Sequence, residues 1–230
     1  MKTLYIVATP IGNLQDITLR AAQTLLSAPY IIAESASKTN NLLNSIRLNF
    51  PNIPNSPNRP KIISYTEDEE ENKLPYVMRI LEESDAALTS EAGTPLVSDP
   101  GFKLVREAIR KGVRIVPIPG PSSVTAALSV SGLPTNKVTF IGFLPKSDSK
   151  RKKELLKLRE TNSTIILFES PYRLTQTLID IQDVFGDLEV VAARELTKIH
   201  EEVIRGRIND LLSKFEQKSP KGEFVILFCN

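Results

Sequence analysis

The chain contains one cysteine, Cys229, and one histidine, His200. A single thiol cannot close an internal disulfide, so the composition fits a reducing compartment, and a cytoplasmic location is expected. Without a cysteine–histidine cluster no metal site is expected. No G-x-G-x-x-G follows the first strand candidate and no G-x-x-x-x-G-K-[ST] occurs. A dinucleotide-binding Rossmann unit and a P-loop are therefore unsupported. No apolar run approaches the ~18 residues that span a membrane. The short apolar run in MKTLYIVATP stops at Pro10 and reads as a strand rather than a signal segment. A large charge of one sign is also missing: the formal net charge is +2, which neither demands nor excludes a nucleic-acid partner.

What is present is ample core material: 230 residues that are 41% hydrophobic suit one large α/β domain or two small ones. Short β-rich runs recur at 4–8, 30–33, 61–65, 86–89 and 114–118, then at 138–143, 164–168, 189–193, 202–205 and 223–228. Most are continuously apolar rather than alternating, as in strands covered on both faces. Helix candidates lie at 16–26, 102–110, 148–159 and 171–185, with Pro171 suited to a first turn. Repeated strand–helix–strand units favour mostly parallel sheets with helices on both sides. The rhythm restarts near Leu133–Pro134, which divides the chain into lobes of residues 1–133 and 134–230. The proline-rich stretch 49–60 reads as a loop, and the acidic run 67–71 as the solvated first turn of a helix.

Glycine and proline cluster where strands end: Thr9-Pro10-Ile11-Gly12-Asn13, Ala92-Gly93-Thr94-Pro95, Asp99-Pro100-Gly101 and Pro119-Gly120-Pro121-Ser122-Ser123. In open α/β sheets, ligands bind outside the carboxyl ends of strands. Loops of this kind present backbone N–H and C=O groups, which suit a zwitterionic or nucleoside-like ligand. Any one of them taken alone reads first as a plain turn; three at the ends of three strands of one lobe favour a shared pocket.

The segments VATPIGNLQDIT, SEAGTPLVSDPG, VPIPGPSS, GFLPKSDSKRKKEL, FESPYRL, RELTKIHEE and GEFVILF occur in this order from about Thr3 to Phe228. Together they resemble the successive motifs of the tetrapyrrole-methylase-like class of S-adenosylmethionine-dependent methyltransferases. Within that class they are most similar to the branch that 2′-O-methylates a cytidine ribose in 16S rRNA. The resemblance implies two α/β lobes with mostly parallel or mixed sheets, and S-adenosylmethionine in the cleft between them. It also implies a homodimer and the small ribosomal subunit as partner. By the same resemblance Pro10, Gly93, Thr94, Pro95, Ser122 and Ser123 meet the cofactor from the first lobe, and Phe143, Leu144, Leu196 and Gly222 from the second. The sequence departs from the family pattern at Ser35, Ala36 and Ser37, where Asp-Thr-Arg is usual. Glu91 replaces an aspartate and Tyr172 a histidine.

A ribose hydroxyl is a poor nucleophile, so a positioned proton acceptor is expected. Glu34, Glu195 and Lys198 are the candidates, with His200 a weaker one in a charged stretch. Asp99 reads as the N-cap of the following helix. Glu169 and Arg173 fit a mutual pair as well as a functional role. The run Lys150-Arg151-Lys152-Lys153 is the densest positive patch and fits either a solvated helix face or an RNA-phosphate contact, with no aromatic interleaving. The altered Ser35–Ser37 loop leaves two alternatives open. One is a methyltransferase of the same fold acting on a small molecule or protein side chain. The other is a non-enzymatic cofactor- or ribosome-binding relative.

Overall fold

A computed structural model describes residues 2–54, 59–217 and 219–229. It divides into two compact units, Met1–Ser122 and Ser123–Asn230.

The first unit carries strands β1 (Thr3–Val7), β2 (Tyr30–Ala33), β3 (Lys61–Ser64), β4 (Ala86–Thr89) and β5 (Arg114–Ile118). Between them run helices α1 (Leu19–Ser27), α2 (Ala36–Asn49), α3 (Glu70–Glu83) and α4 (Phe102–Arg110). The strands form one sheet in the order β3-β2-β4-β1-β5, every neighbouring pair parallel. Successive residues of one strand go to opposite cores. Ile31 and Ala87 pack with Leu25 of α1 and Leu43 of α2, while Ile32 and Leu88 pack with Leu81 of α3 and Leu104 of α4. Both faces are covered, which is why these strands read as unbroken apolar runs.

The second unit holds α5 (Ser123–Ser131), β6 (Val138–Phe143), α6 (Asp148–Leu158), β7 (Thr164–Glu169), α7 (Leu174–Phe185), β8 (Glu189–Arg194), β9 (Glu202–Arg207), α8 (Ile208–Gln217) and β10 (Phe224–Cys229). Its sheet runs β6-β7-β10-β8-β9 and is mixed: β6 pairs β7 in parallel, and the remaining pairs are antiparallel. Helices α6, α7 and α8 bury Leu155, Leu178, Ile181, Leu211 and Phe215 against one face. Helix α5 lies against β8, β9 and β10. Arg205 of β9 donates from Nε to the Ser131 carbonyl at 3.2 Å, fastening the end of α5. That attachment places the division at Ser122/Ser123, ahead of the expected one near Leu133–Pro134.

Other local expectations shift as well. The helix expected at 16–26 is a short 3₁₀ turn, Leu14–Asp16, followed by α1, whose Thr18 side chain caps the Ala21 N–H at 3.1 Å. Pro171 precedes α7, which begins only at Leu174. Of the expected loop at 49–60, residues 55–58 lie outside the described residues, and Ile53 is buried. Asp99 is not the N-cap of α4. Gly101 holds that position, and the Glu70 carboxylate accepts the Gly101 and Lys103 N–H groups at 3.1 and 3.2 Å. Glu70 is therefore buried rather than solvated, because a carboxylate satisfies the exposed amides of a helix start. Among the described residues no helix is long and apolar enough to cross a membrane.

The basic run needs a correction. Arg151 is 2% exposed and is ion-paired through Nε to Asp180, itself fully buried. A second guanidinium nitrogen reaches Asp148 at 2.6 Å, and a third donates to the Lys146 carbonyl at 3.2 Å. Lys152 pairs with Asp183 at 2.6 Å. Arg151 is thus a buried strut between α6 and α7 and is not available to phosphate. Removing one partner of such a pair strands the other charge in the core. Arg151→Ala should cost about 3–5 kcal/mol of unfolding free energy in urea titrations. Lys150→Ala, at an exposed position, should stay within about 0.5 kcal/mol of the parent.

Candidate active site

Because β1, β2, β4 and β5 are parallel, their carboxyl ends open on one edge of the sheet. The four following loops meet there. The Thr9 N–H donates to the Gly93 carbonyl at 2.9 Å, and the Gly93 N–H returns to the Thr9 carbonyl at 3.0 Å. Gly93 has φ +81°, a backbone state that a side chain would strain, and a Cβ there would touch Ile11 at 3.4 Å. The Thr94 hydroxyl donates to the Pro121 carbonyl at 3.2 Å, tying the β4 loop to the β5 loop. Pro10 is half-buried and Pro95 is buried in this assembly. Ser122 ends the first unit and Ser123 opens α5 of the second. The Thr9 hydroxyl is buried without a hydrogen-bond partner beneath these loops.

Two non-glycine residues of the β4 loop, Leu96 and Ser98, sit at φ 75° and 67°. Left-handed backbone costs such residues roughly 1–2 kcal/mol each. Strain of this kind gathers where a loop's shape serves a ligand.

An acidic side borders the same edge. Asp99, on the β4 loop, is half-buried and hydrogen-bonded to Ser90. Burial first, and then the charges of Glu34 and Glu91, push its carboxyl up to about 6, against the opposing pull of Ser90. Glu34 follows β2. Ser35 caps α2 by accepting the Lys38 N–H at 3.4 Å, so the altered loop keeps its helix start. Lys38, one residue past the altered Ser35–Ser37 segment, is ion-paired with Glu91, itself a departure from the family pattern. Sequence reasoning placed Asp99 at a helix cap and missed this cluster. Ser90, Glu91 and Asp99 share the β4 loop, and the adjacency of β2 and β4 in the sheet brings Glu34 to them.

In the second unit Glu195 and Lys198 act on their own backbone. Glu195 accepts the Glu223 N–H at 2.9 Å and the Lys198 ammonium at 3.0 Å, while Lys198 also reaches Glu223 at 2.9 Å. The Glu223 amide, and then Lys198, hold the Glu195 carboxyl below its ordinary range. Glu195 and Thr197 have φ 48° and 65°. Gly222 lies so close that a Cβ on it would stand 2.5 Å from Glu195 Cγ. The group is a staple joining the exit of β8 to the entry of β10, and a carboxylate so committed is a poor proton acceptor. Leu196 is buried beside it, and His200 is exposed.

Glu169 and Arg173 also resolve into structure. The Glu169 carboxylate accepts the Ser170 N–H at 2.8 Å and the Thr177 hydroxyl at 2.6 Å. Arg173 donates to the Leu144 and Pro145 carbonyls at 2.8 and 3.1 Å, fixing the loop that follows β6. Leu144 is buried there, whereas Phe143 is exposed, its ring edge-on to Phe168 at 5.6 Å between centroids.

The family profile described as tetrapyrrole (corrin/porphyrin) methylases matches residues 3–212, and the chain belongs to that family. It is 42% identical over 229 residues to a Thermotoga maritima protein named ribosomal RNA small subunit methyltransferase I, covering 99% of this chain and 98% of the relative. A protein of the same name from Halalkalibacterium halodurans is 40% identical over 226 residues, 98% of this chain and 75% of the relative. The fold is shared with uroporphyrin-III C-methyl transferase from Thermus thermophilus, solved in complex with S-adenyl homocysteine. That match has a TM-score of 0.66 at 15% identity, covering 99% of this chain and 97% of the other.

Asp99 offers a direct check. Its folded pKa is raised above the unfolded 3.8, so the folded chain binds the proton more tightly. The Asp99 contribution to stability is then present below about 3.8 and is lost as pH rises through about 6. Carbon-detected NMR of labelled aspartate should show one carboxyl titrating near 6. Ser90→Ala should move that titration upward, since it removes a hydrogen bond to the charged form. A titration near 4 in both proteins would contradict the assignment.

Proposed function

We propose that this chain transfers a methyl group from S-adenosylmethionine to the 2′-hydroxyl of a cytidine in 16S rRNA of the small ribosomal subunit. The observation that carries this reading is the stitched set of loops at the carboxyl edge of the parallel sheet, with Asp99 on its acidic side. Support for the substrate comes from the relatives that bear the rRNA methyltransferase name at about 40% identity over nearly the whole chain. In the same reading the protein works as a homodimer, as the resemblance implies, and in the cytoplasm, as its single cysteine suits.

The residues present fit the cofactor. Gly93 leaves backbone bare for close approach, and the Pro10, Thr94, Pro95 and Ser122 segments offer amides, carbonyls and hydroxyls to an amino-acid moiety and a nucleoside. Carboxylates at Glu34 and Glu91, beside Asp99, suit a cationic ligand. When bound, S-adenosylmethionine supplies a methyl group on a positively charged sulfur, open to in-line displacement. The work left to the protein is alignment and removal of a proton. Asp99 takes that proton from the attacking hydroxyl, because its raised affinity suits proton transfer near neutrality. Glu34 and Glu91 sustain that affinity, and Ser90 holds the carboxyl in place. Glu195 and Lys198 shape the second unit and take no proton.

The test is transfer of tritiated methyl from the cofactor to small subunits lacking the modification, with the label mapped to a nucleotide. Label on a cytidine ribose is expected. Label on a base or on protein, or none at all, would refute the reading. Asp99→Asn should lower kcat by roughly 10²–10⁴-fold while cofactor affinity stays within about threefold. Loss of affinity with kcat unchanged would remove Asp99 from the proton-transfer role.

A further inference from the structure

Tyr172 is 97% exposed, and packing gives no account of an aromatic ring in that position. The turn beneath it is rigid. The Arg173 and Leu174 N–H groups both donate to the Ser170 carbonyl at 3.1 Å, and Glu169 holds Ser170 and Thr177. Arg173 then reaches across to the Leu144 and Pro145 carbonyls, setting the Tyr172 turn against the loop after β6. The buried Arg151 grips that loop from its other end, through the Lys146 carbonyl. Through these bonds to backbone carbonyls two arginines gather three elements at one place: the turn with Tyr172, the end of β6 and its loop with Phe143 and Lys146, and the start of α6 with Lys150 and Lys153.

The charges there divide in a telling way. Lys152 and Lys157 are neutralised by Asp183 and Glu154. Lys146, Lys150 and Lys153 are exposed, and among the described residues no carboxylate pairs with them. Unpaired cations beside a fixed, fully exposed aromatic face are what a single-stranded nucleic acid requires: phosphates to the lysines, a base to the ring. An acidic peptide would use the lysines and leave the ring idle.

We propose that this surface binds an unpaired stretch of RNA, with Tyr172 stacking on a base and Lys146, Lys150 and Lys153 contacting the phosphates around it. The proposal rests on the rRNA reading above and locates where that RNA is held. It differs from a contact made by the whole basic run, since Arg151 and Lys152 are committed to aspartates.

The test uses the full chain with unmodified small subunits, binding being measured by filter retention at two salt concentrations and methyl transfer in the same samples. Tyr172→Ala should weaken binding on the order of tenfold with an unchanged salt slope, and Tyr172→Phe should restore it, because stacking needs the ring and not the hydroxyl. Changing Lys146, Lys150 and Lys153 together to alanine should weaken binding by at least about tenfold and flatten the log–log salt slope by about 2. Thermal melts of these surface variants should match the parent. Binding within twofold of the parent in Tyr172→Ala, or equal loss in the Phe variant, would overturn the stacking role. If the parent methylates subunits and the variants bind as it does, the surface fails while the function stands. If the parent neither binds nor methylates subunits, both fail. Loss of binding to polyglutamate equal to the loss for RNA in the lysine variant, with no effect of Tyr172→Ala on either, would mark a general anion surface and also overturn the proposal.

Discussion

The account depends on a property of parallel strands: they all leave the sheet on the same side. In the first unit β1, β2, β4 and β5 run in one direction, so loops more than a hundred positions apart in sequence emerge side by side. The reciprocal Thr9–Gly93 backbone pair and the Thr94–Pro121 bond convert that adjacency into one continuous rim. The sheet can hold this arrangement because α1 and α2 cover one face and α3 and α4 the other, so no strand loses its register without exposing two cores. The capping of α4 by Glu70 anchors the far end of the β4 loop, and the loop's strained residues are held in shape between two fixed points.

The second unit solves the same problem by other means. Its sheet is mixed, yet β6, β7 and β8 run in one direction and leave at the edge where β10 enters, and there side chains do the fastening. Glu195 and Lys198 close the β8 and β10 ends together, and Arg173 and Arg151 hold the β6 loop. Of the five non-glycine residues with left-handed backbone among those described, Leu96, Ser98, Glu195 and Thr197 fall in the loops after β4 and β8. The two units therefore place their strain at equivalent points, after a strand, in segments that carry family motifs. A charged residue in such a motif can serve shape as readily as chemistry. Glu169, Arg173, Glu195 and Lys198 serve shape, while Asp99 is left half-buried and electrostatically poised.

Much of this was legible in the sequence. The strands were, because burial on both faces writes a continuous apolar run, and the proline–glycine loops after β1, β4 and β5 were, because rigid turns leave a compositional mark. Helices α2, α5 and α8 were not. The first is rich in asparagine and serine and buries only the Thr39, Leu43 and Ile46 stripe. The second carries no charged residue to mark a solvent face opposite its buried one. Arg151 was hidden in a basic run, although its spacing to Leu155 and Leu158 puts it on the buried face of α6 and was the available signal. The Asp99 cluster left only a partial trace: Ser90, Glu91 and Asp99 share the β4 loop, but Glu34 joins them from the loop after β2. Its raised proton affinity arises first from burial and then from Glu91 of the same loop and Glu34 of another, and sequence spacing reports neither the burial nor which loops become neighbours.

The central claim is that the rim of the first unit holds the cofactor, and hydrogen exchange with and without S-adenosylhomocysteine tests it most directly. Amides in the loops after β1, β4 and β5, including those of Gly93 and Thr94, should exchange more slowly in the presence of ligand, and amides of α6 and of the turn carrying Tyr172 should be unaffected. Protection confined to the α6 and Tyr172 region, with the Thr9–Asn13 and Ala92–Pro95 segments unchanged, would contradict the account.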